Sequence, residues 1–201
     1  MIKFGVLISG GGSNLQAIID AIEAGALDAE IALVVSSKND VYGLTRAERA
    51  GIPTLALTKG DYVDPLAADE RIASTLLDAQ VDYVVMAGYM RMVREPLLSA
   101  FPSKIINLHP ALLPSFPGAH GIADAFDYGV KITGVTIHFA NEEYDMGAII
   151  AQRSVVIAED DTLESLEEKI HAVEHKLYPQ ALQLLAQGRV IIGEDGKVRI
   201  L

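Results

Sequence analysis

Short apolar runs alternate with amphipathic segments along most of the chain. Residues 4–8 are apolar and lead into a glycine cluster, and the apolar positions 15, 18, 19 and 22 then recur with helical spacing. Further apolar runs lie at 31–35, 53–57, 83–86 and 104–108, with helical patterns between them at 44–50, 66–77 and 95–100. This β-α-β order predicts a mostly parallel sheet with helices on both faces.

The pattern changes after residue 108. A loop rich in proline and glycine covers 109–118, and a short helix is predicted near 122–128. Two long strands, 132–139 and 148–157, flank a polar turn and predict a hairpin. A helix from about 163 to 186, which Pro179 is expected to kink, and two short terminal strands complete a single α/β domain.

Composition narrows the class of protein. The 201 residues are 50% hydrophobic and 21% charged, an ordinary soluble composition that is long enough to bury a sizeable core. The absence of cysteine excludes disulfides, thiolate catalysis and cysteine-ligated metal sites. A net charge of −11 argues against a large nucleic-acid footprint, although backbone amides can still bind a local phosphate. The N-terminal apolar run is too short to span a membrane and lacks a signal-peptide layout, so we expect a cytoplasmic protein.

The turn at 10–14 is the first candidate binding feature. Three glycines between a strand and a helix let the backbone approach an anion, and Ser13 is placed to cap the helix and donate to a phosphate. Leu15 stands where the dinucleotide fingerprint needs another glycine, and the Walker Lys-Ser/Thr pair is absent. The turn therefore favours phosphate over a dinucleotide or nucleoside triphosphate, and a tight turn without a ligand is the alternative.

Asn107 and His109 are the candidate catalytic pair. At the end of a strand they point to the same face, because Leu108 between them points away. An amide and an imidazole that converge on one spot suit oxyanion stabilisation and proton handling in acyl transfer. The alternative is a capping asparagine and a structural histidine.

Asp145 lies in the turn of the predicted hairpin, close to Glu142 and Glu143. If the hairpin folds back over His109, the carboxylate would favour the charged imidazole. Otherwise Asp145 is one more solvated carboxylate.

The last long helix carries a polar face. His171, Glu174 and Tyr178 share that face at spacing i, i+3 and i+7, and an exposed helix surface is the alternative interpretation. His175 points elsewhere. His138, which lies in a strand, is predicted to be a core histidine, and a role in supporting the residues of the site is the alternative.

Six segments resemble, in order, the motifs of the glycinamide ribonucleotide transformylase family. They are the Gly-Ser-Asn turn within 8–16, Ala-Gly-Tyr-Met-Arg at 87–91, the segment 107–114 that begins Asn-Leu-His-Pro, the strand 134–139, Asp-Met-Gly at 145–147 and Glu-His-Lys-Leu-Tyr-Pro at 174–179. The middle motifs are shared with other formyltetrahydrofolate enzymes. The first and last are the specific part of the resemblance.

The resemblance implies a role for each matching position. The ribonucleotide would contact Gly12, Ser13, Asn14, Glu174 and His171. The folate would contact Met90, Arg91, Met92, Val93 and Asn107, partly through main-chain atoms. The catalytic residues would be Asn107, His109 and Asp145. Pro65 stands where relatives often carry an arginine that helps to hold the folate.

The resemblance also implies a reaction and an architecture. The formyl group of 10-formyltetrahydrofolate, the co-substrate, would pass directly to the amine of glycinamide ribonucleotide in purine biosynthesis, without a metal. Residues 1–201 would form one Rossmann-like domain with a seven-stranded, mostly parallel sheet, a C-terminal β-hairpin and a long helix. The phosphate site would lie in its N-terminal half and the folate and catalytic sites in its C-terminal half. Such a protein would act on small molecules, without nucleic acid or membrane partners, as a monomer or homodimer.

Two further interpretations stay open at the level of sequence. A formyltetrahydrofolate hydrolase or another formyltransferase, such as the methionyl-tRNA enzyme, shares the Asn-x-His-Pro segment, although the net charge of −11 opposes tRNA binding. The second interpretation is a non-catalytic phosphate-binding module. In that case the convergence of Asn107, His109 and Asp145 would be a coincidence.

Overall fold

The computed structural model describes all 201 residues, and its elements follow the predicted alternation. The strands are β1 Ile2–Ile8, β2 Ala29–Ser36, β3 Thr54–Ala56, β4 Tyr83–Met86, β5 Ile105–His109, β6 Ile132–Phe139, β7 Ile149–Val156, β8 Val190–Ile192 and β9 Val198–Ile200. The helices are α1 Ser13–Glu23, α2 Tyr42–Arg49, α3 Pro65–Asp78, α4 Glu95–Ala100, α5 Gly121–Tyr128 and α6 Leu163–Ala186, with a 3₁₀ turn at Asp61–Val63. No helix combines the length and the apolar character that crossing a bilayer requires.

Seven strands form one sheet in the order β3-β2-β1-β4-β5-β6-β7. The first five are parallel, whereas β6 runs antiparallel to β5 and pairs with β7 as a hairpin. The predicted mostly parallel, seven-stranded sheet, the internal hairpin and the C-terminal hairpin β8–β9 are therefore confirmed. This order brings the carboxyl ends of β1, β4 and β5 together, where ligands bind in such sheets.

The sheet is covered on both faces, as the alternation of strands and helices predicts. Along β1, Phe4, Val6 and Ile8 belong to a 26-residue apolar cluster that includes residues of α1 and α6. Leu7 faces the other way, into a 16-residue cluster that includes residues of α3 and α4. Both faces of β1 are thus buried between two layers.

Helix α6 is anchored to the strands that carry the site. It begins at a capping box in which Thr162 and Ser165 bind each other's backbone amides, and it continues without interruption through Pro179. Tyr178 is fully buried, and its hydroxyl lies 3.1 Å from the carbonyl oxygens of both Met86 and Ile106. Tyr178 therefore has a structural role, and the alternative of an exposed helix surface is wrong at this position.

Gly147 sets how closely the β6–β7 turn packs on β6. A side chain at this position would overlap the carbonyl oxygen of Phe139, so only glycine permits the observed approach. The same turn carries Asp145, two residues earlier.

We expect Gly147→Ala to lower the free energy of unfolding by about 1–3 kcal/mol or more, because overpacking forces backbone shifts. Chemical denaturation measures this change. Gly60→Ala is the matched control, because a side chain there makes only an ordinary contact with Thr58. Equal stability of the two variants would contradict the conclusion that only glycine permits the close approach at residue 147.

Candidate active site

An open cleft of about 800 Å³ lies at the ends of β4 and β5 and beneath the β6–β7 turn. Its lining includes the predicted folate and catalytic residues together with one histidine that was not among them: Met90, Arg91, Met92, Val93, Asn107, His109, Asp145 and His138. The glycine turn and Glu174 are outside this lining.

His109 is almost completely buried, with 3% of its surface exposed. Its Nε2 lies 2.8 Å from the carbonyl oxygen of Phe116, which can only accept a hydrogen bond, so Nε2 is the donor. Its Nδ1 lies 3.4 Å from Oδ2 of Asp145. Both ring nitrogens therefore face acceptors, an arrangement that suits a ring used as a donor.

Asp145 lies against His109 and is not a solvated carboxylate. The residue is 7% exposed and has a left-handed backbone, φ 56°, which aspartate tolerates better than most residues. Its Oδ2 accepts a hydrogen bond of 2.8 Å from the Gly118 amide. Its Oδ1 lies 3.5 Å from Nδ2 of Asn107 and 3.6 Å from Nε2 of His138. The hairpin thus folds back over the end of β5.

The surroundings of Asp145 keep it ionised. Burial raises the pKa of the carboxyl group, but the neighbouring His138 ring, the Gly118 amide and the His109 ring outweigh burial, so the net pKa lies below the ordinary value. The cleft therefore holds a fixed negative charge beside two imidazoles.

His138 is the residue of this cluster that the sequence analysis assigned to the core. It is buried as predicted, but its ring contacts polar groups of the cleft. Its Nδ1 donates to the Phe139 carbonyl oxygen at 2.9 Å, and its Nε2 lies 3.2 Å from Nδ2 of Asn107. The pairing of Asn107 with His138 across β5 and β6 explains the contact. The strand register, which is not visible in the sequence, was the missing signal.

The glycine turn forms the N-terminus of α1. Gly12, with φ 71°, is the N-cap, and Ser13 is the first helical residue, without a capping side-chain bond. The prediction that Ser13 caps the helix is therefore wrong, because the left-handed Gly12 occupies that position. The first-turn amides of a helix have no intrahelical acceptor, so they are available to an anion.

Beside this turn, the structure brings Asn14, His171 and Glu174 together. Oε2 of Glu174 accepts from Nδ2 of Asn14 at 2.9 Å and from Nδ1 of His171 at 3.0 Å. Oδ1 of Asn14 is buried without a protein partner, so a donor of a ligand could satisfy it. The hydrogen bond to Glu174 raises the pKa of His171, although burial opposes the shift.

Ser9 links the glycine turn to the cleft, a role that the sequence analysis missed. Its hydroxyl lies 2.6 Å from that of Ser37 and accepts a hydrogen bond of 2.8 Å from the Met90 amide. The Met90 amide is thus engaged within the protein.

Arg91 stacks over Tyr62, with 4.2 Å from its guanidinium carbon to the ring centroid.

Pro65, the departure noted in the sequence, is the first residue of α3. Asp64 caps that helix by accepting from the amides of Leu66 and Ala67. Proline suits the first helical position because its missing amide hydrogen would have no partner there.

The pKa of His171 should lie above that of His175, the histidine stacked on it. The hydrogen bond to Glu174 stabilises the charged form of His171, whereas burial lowers the pKa of His175. NMR titration of the two rings measures both values. In Glu174→Gln the pKa of His171 should fall, and an unchanged value would contradict the assigned cause.

Comparison with known proteins identifies the family. Residues 2–182 match the formyl transferase family. The "Phosphoribosylglycinamide formyltransferase" of Bacillus subtilis (strain 168) is 42% identical over 92% of this chain and 95% of its own length. The "Trifunctional purine biosynthetic protein adenosine-3" of Gallus gallus is 44% identical over 98% of this chain, which spans only 20% of that longer protein.

A solved structure gives the same result. The crystal structure of glycinamide ribonucleotide transformylase 1 from Symbiobacterium toebii superimposes with a TM-score of 0.97 at 47% identity, covering 100% of this chain and 94% of that one. Family, relatives and structure agree over nearly the whole sequence. The chain belongs to the formyl transferase family.

Proposed function

We propose that this protein transfers the formyl group of 10-formyltetrahydrofolate to the amine of glycinamide ribonucleotide. The products are formylglycinamide ribonucleotide and tetrahydrofolate, in de novo purine biosynthesis. The observation that carries the proposal is the cluster of an amide, an imidazole and an ionised carboxylate in one cleft, formed by Asn107, His109 and Asp145. The names of the relatives support the choice of substrates.

The chemistry follows from where charge develops. The substrate amine attacks the formyl carbon, a C–N bond forms, and negative charge grows on the formyl oxygen. Asn107 and His109 offer N–H groups to that oxygen, and Asp145 stabilises positive charge on the His109 ring. Because Nε2 of His109 now donates to Phe116, the formyl oxygen must replace that carbonyl as acceptor.

The second half of the reaction releases the folate. The bond between the formyl carbon and the folate nitrogen breaks as the oxyanion collapses, and the proton lost by the attacking amine ends on the departing nitrogen. Asp145, His109 or an ordered water is the carrier of that proton. No formyl-enzyme is needed, and the reaction uses no metal in this proposal.

The two substrates occupy adjoining regions. The folate lies against the segment Met90, Arg91, Met92 and Val93, and the ribonucleotide phosphate binds the amides of Gly12, Ser13 and Asn14 at the N-terminus of α1. Glu174 contacts the ribose or glycinamide part. The raised pKa of His171 favours the positive charge that would face the phosphate.

In this proposal residues 1–201 form one formyltransferase domain. The phosphate turn belongs to its N-terminal half, and the catalytic carboxylate belongs to its C-terminal half. The protein acts on small molecules in the cytoplasm, as a monomer or homodimer, without nucleic acid.

A coupled assay that follows release of tetrahydrofolate, with and without glycinamide ribonucleotide, tests the proposal. We expect release only when the ribonucleotide is present. Release without it would favour a formyltetrahydrofolate hydrolase. No release under either condition would favour a non-catalytic phosphate-binding module.

Single substitutions test the catalytic set. Asn107→Ala, His109→Ala and Asp145→Ala should each lower kcat by about 10²–10³, the typical loss for one oxyanion donor, with small changes in KM. Asp145→Asn is the conservative variant, because asparagine also tolerates the left-handed backbone.

The double variant His109→Ala/Asp145→Ala tests how the two residues act. Asp145 faces Nδ1 of His109, so the double variant should lose much less activity than the product of the single losses. Steady-state kinetics on all variants gives the comparison. Fully multiplicative losses would mean that Asp145 has an independent task.

A further inference from the structure

Helix α2 packs unusually closely against the glycine turn. The Gly43 amide donates to the Gly10 carbonyl oxygen at 3.1 Å. A side chain on Gly12 would place its first carbon 2.8 Å from the Gly43 Cα, so the two backbones touch through their glycines. The close contact with α2 thus fixes the position of the turn on that side.

Arg46 lies one helical turn beyond Gly43 and reaches the same loop. Its Nε donates to the Gly11 carbonyl oxygen at 2.8 Å, and its Nη1 donates to Oε1 of Gln16 at 2.9 Å. Its guanidinium carbon lies 4.8 Å from the centroid of the Tyr42 ring. No carboxylate forms an ion pair with it.

These contacts determine where the amides of the turn point. In a trans peptide, the C=O and the following N–H point in opposite directions. Because α2 holds the carbonyls of Gly10 and Gly11, the N–H groups of Gly11 and Gly12 are directed away from α2. N–H groups that point in one direction from successive residues favour an anion on the side of the turn that faces away from α2.

We propose that Arg46 is a positioning residue for the phosphate of the substrate: from the side of α2 it holds the Gly11 carbonyl oxygen and so keeps the N–H groups of the turn directed at the phosphate. The inference deepens the proposed function, because the phosphate is that of the ribonucleotide. Arg46 needs two donors on one side chain for this task. A lysine supplies the charge but not the forked pair of donors that bridges Gly11 and Gln16.

Binding of ribose 5-phosphate, measured by calorimetry on the full chain, tests the inference. Arg46→Ala should weaken the affinity about tenfold, because binding must then also order a turn that Arg46 no longer holds. Arg46→Lys should recover only part of that loss. Arg49→Ala is the matched control and should change affinity less than twofold, because Arg49 bonds only the Tyr42 hydroxyl on the same helix.

Kinetics separates positioning from general structural damage. For Arg46→Lys we expect a higher KM for glycinamide ribonucleotide, with KM for the folate and kcat nearly unchanged. Equal effects on both substrates, or equal phosphate affinity in the Arg46 and Arg49 variants, would overturn the inference. If circular dichroism shows that Arg46→Ala does not fold, Arg46→Lys alone tests the inference by the same criteria.

The wild-type protein separates this inference from the proposed function. Wild type that binds ribose 5-phosphate but transfers no formyl group would refute the proposed function, and the Arg46 binding series would still decide the inference. Wild type with no affinity for ribose 5-phosphate would refute the inference itself.

Discussion

Asp145 is an ionised carboxylate with little access to water, and the polar side chains of the cleft are arranged around it. Its oxygens face the rings of His109 and His138, the amide of Asn107 and the backbone N–H of Gly118. A buried carboxylate without partners is strongly unfavourable, so it needs hydrogen-bond donors, which here include the Gly118 amide and the side-chain amide of Asn107. That requirement fixes one loop and one side-chain amide against the carboxylate, and the two imidazoles lie beside them.

The reversal of strand direction after β5 makes this arrangement possible. β6 is antiparallel to β5, so His109 pairs with Thr136. The buried Thr136 hydroxyl donates to the Ala111 carbonyl oxygen at 2.7 Å and accepts from the Leu113 amide at 3.1 Å. The loop that follows His109 is therefore held by the strand that leads into the turn carrying Asp145. The β6–β7 hairpin thus both holds this loop and carries the carboxylate.

Sequence alone predicted the parts that follow from local periodicity. The two-residue period of a strand put Asn107 and His109 on one face, and the glycine cluster marked the start of α1. Features that depend on strand register or on packing between distant elements could not be predicted from the sequence. Strand pairing brings His138 to the cleft, a left-handed Gly12 takes the capping position expected for Ser13, and Arg46 belongs to a different β-α unit from the turn it contacts.

The hydrogen bond between Asn14 and Glu174 joins residues that are 160 positions apart in the chain. A contact of such high sequence separation carries a larger loop-closure entropy than the local contacts within each helix. A ligand that binds there engages the first and last helices of the sheet domain at once. It therefore stabilises the native state as a whole, by an amount that grows with the logarithm of the ligand concentration relative to its dissociation constant.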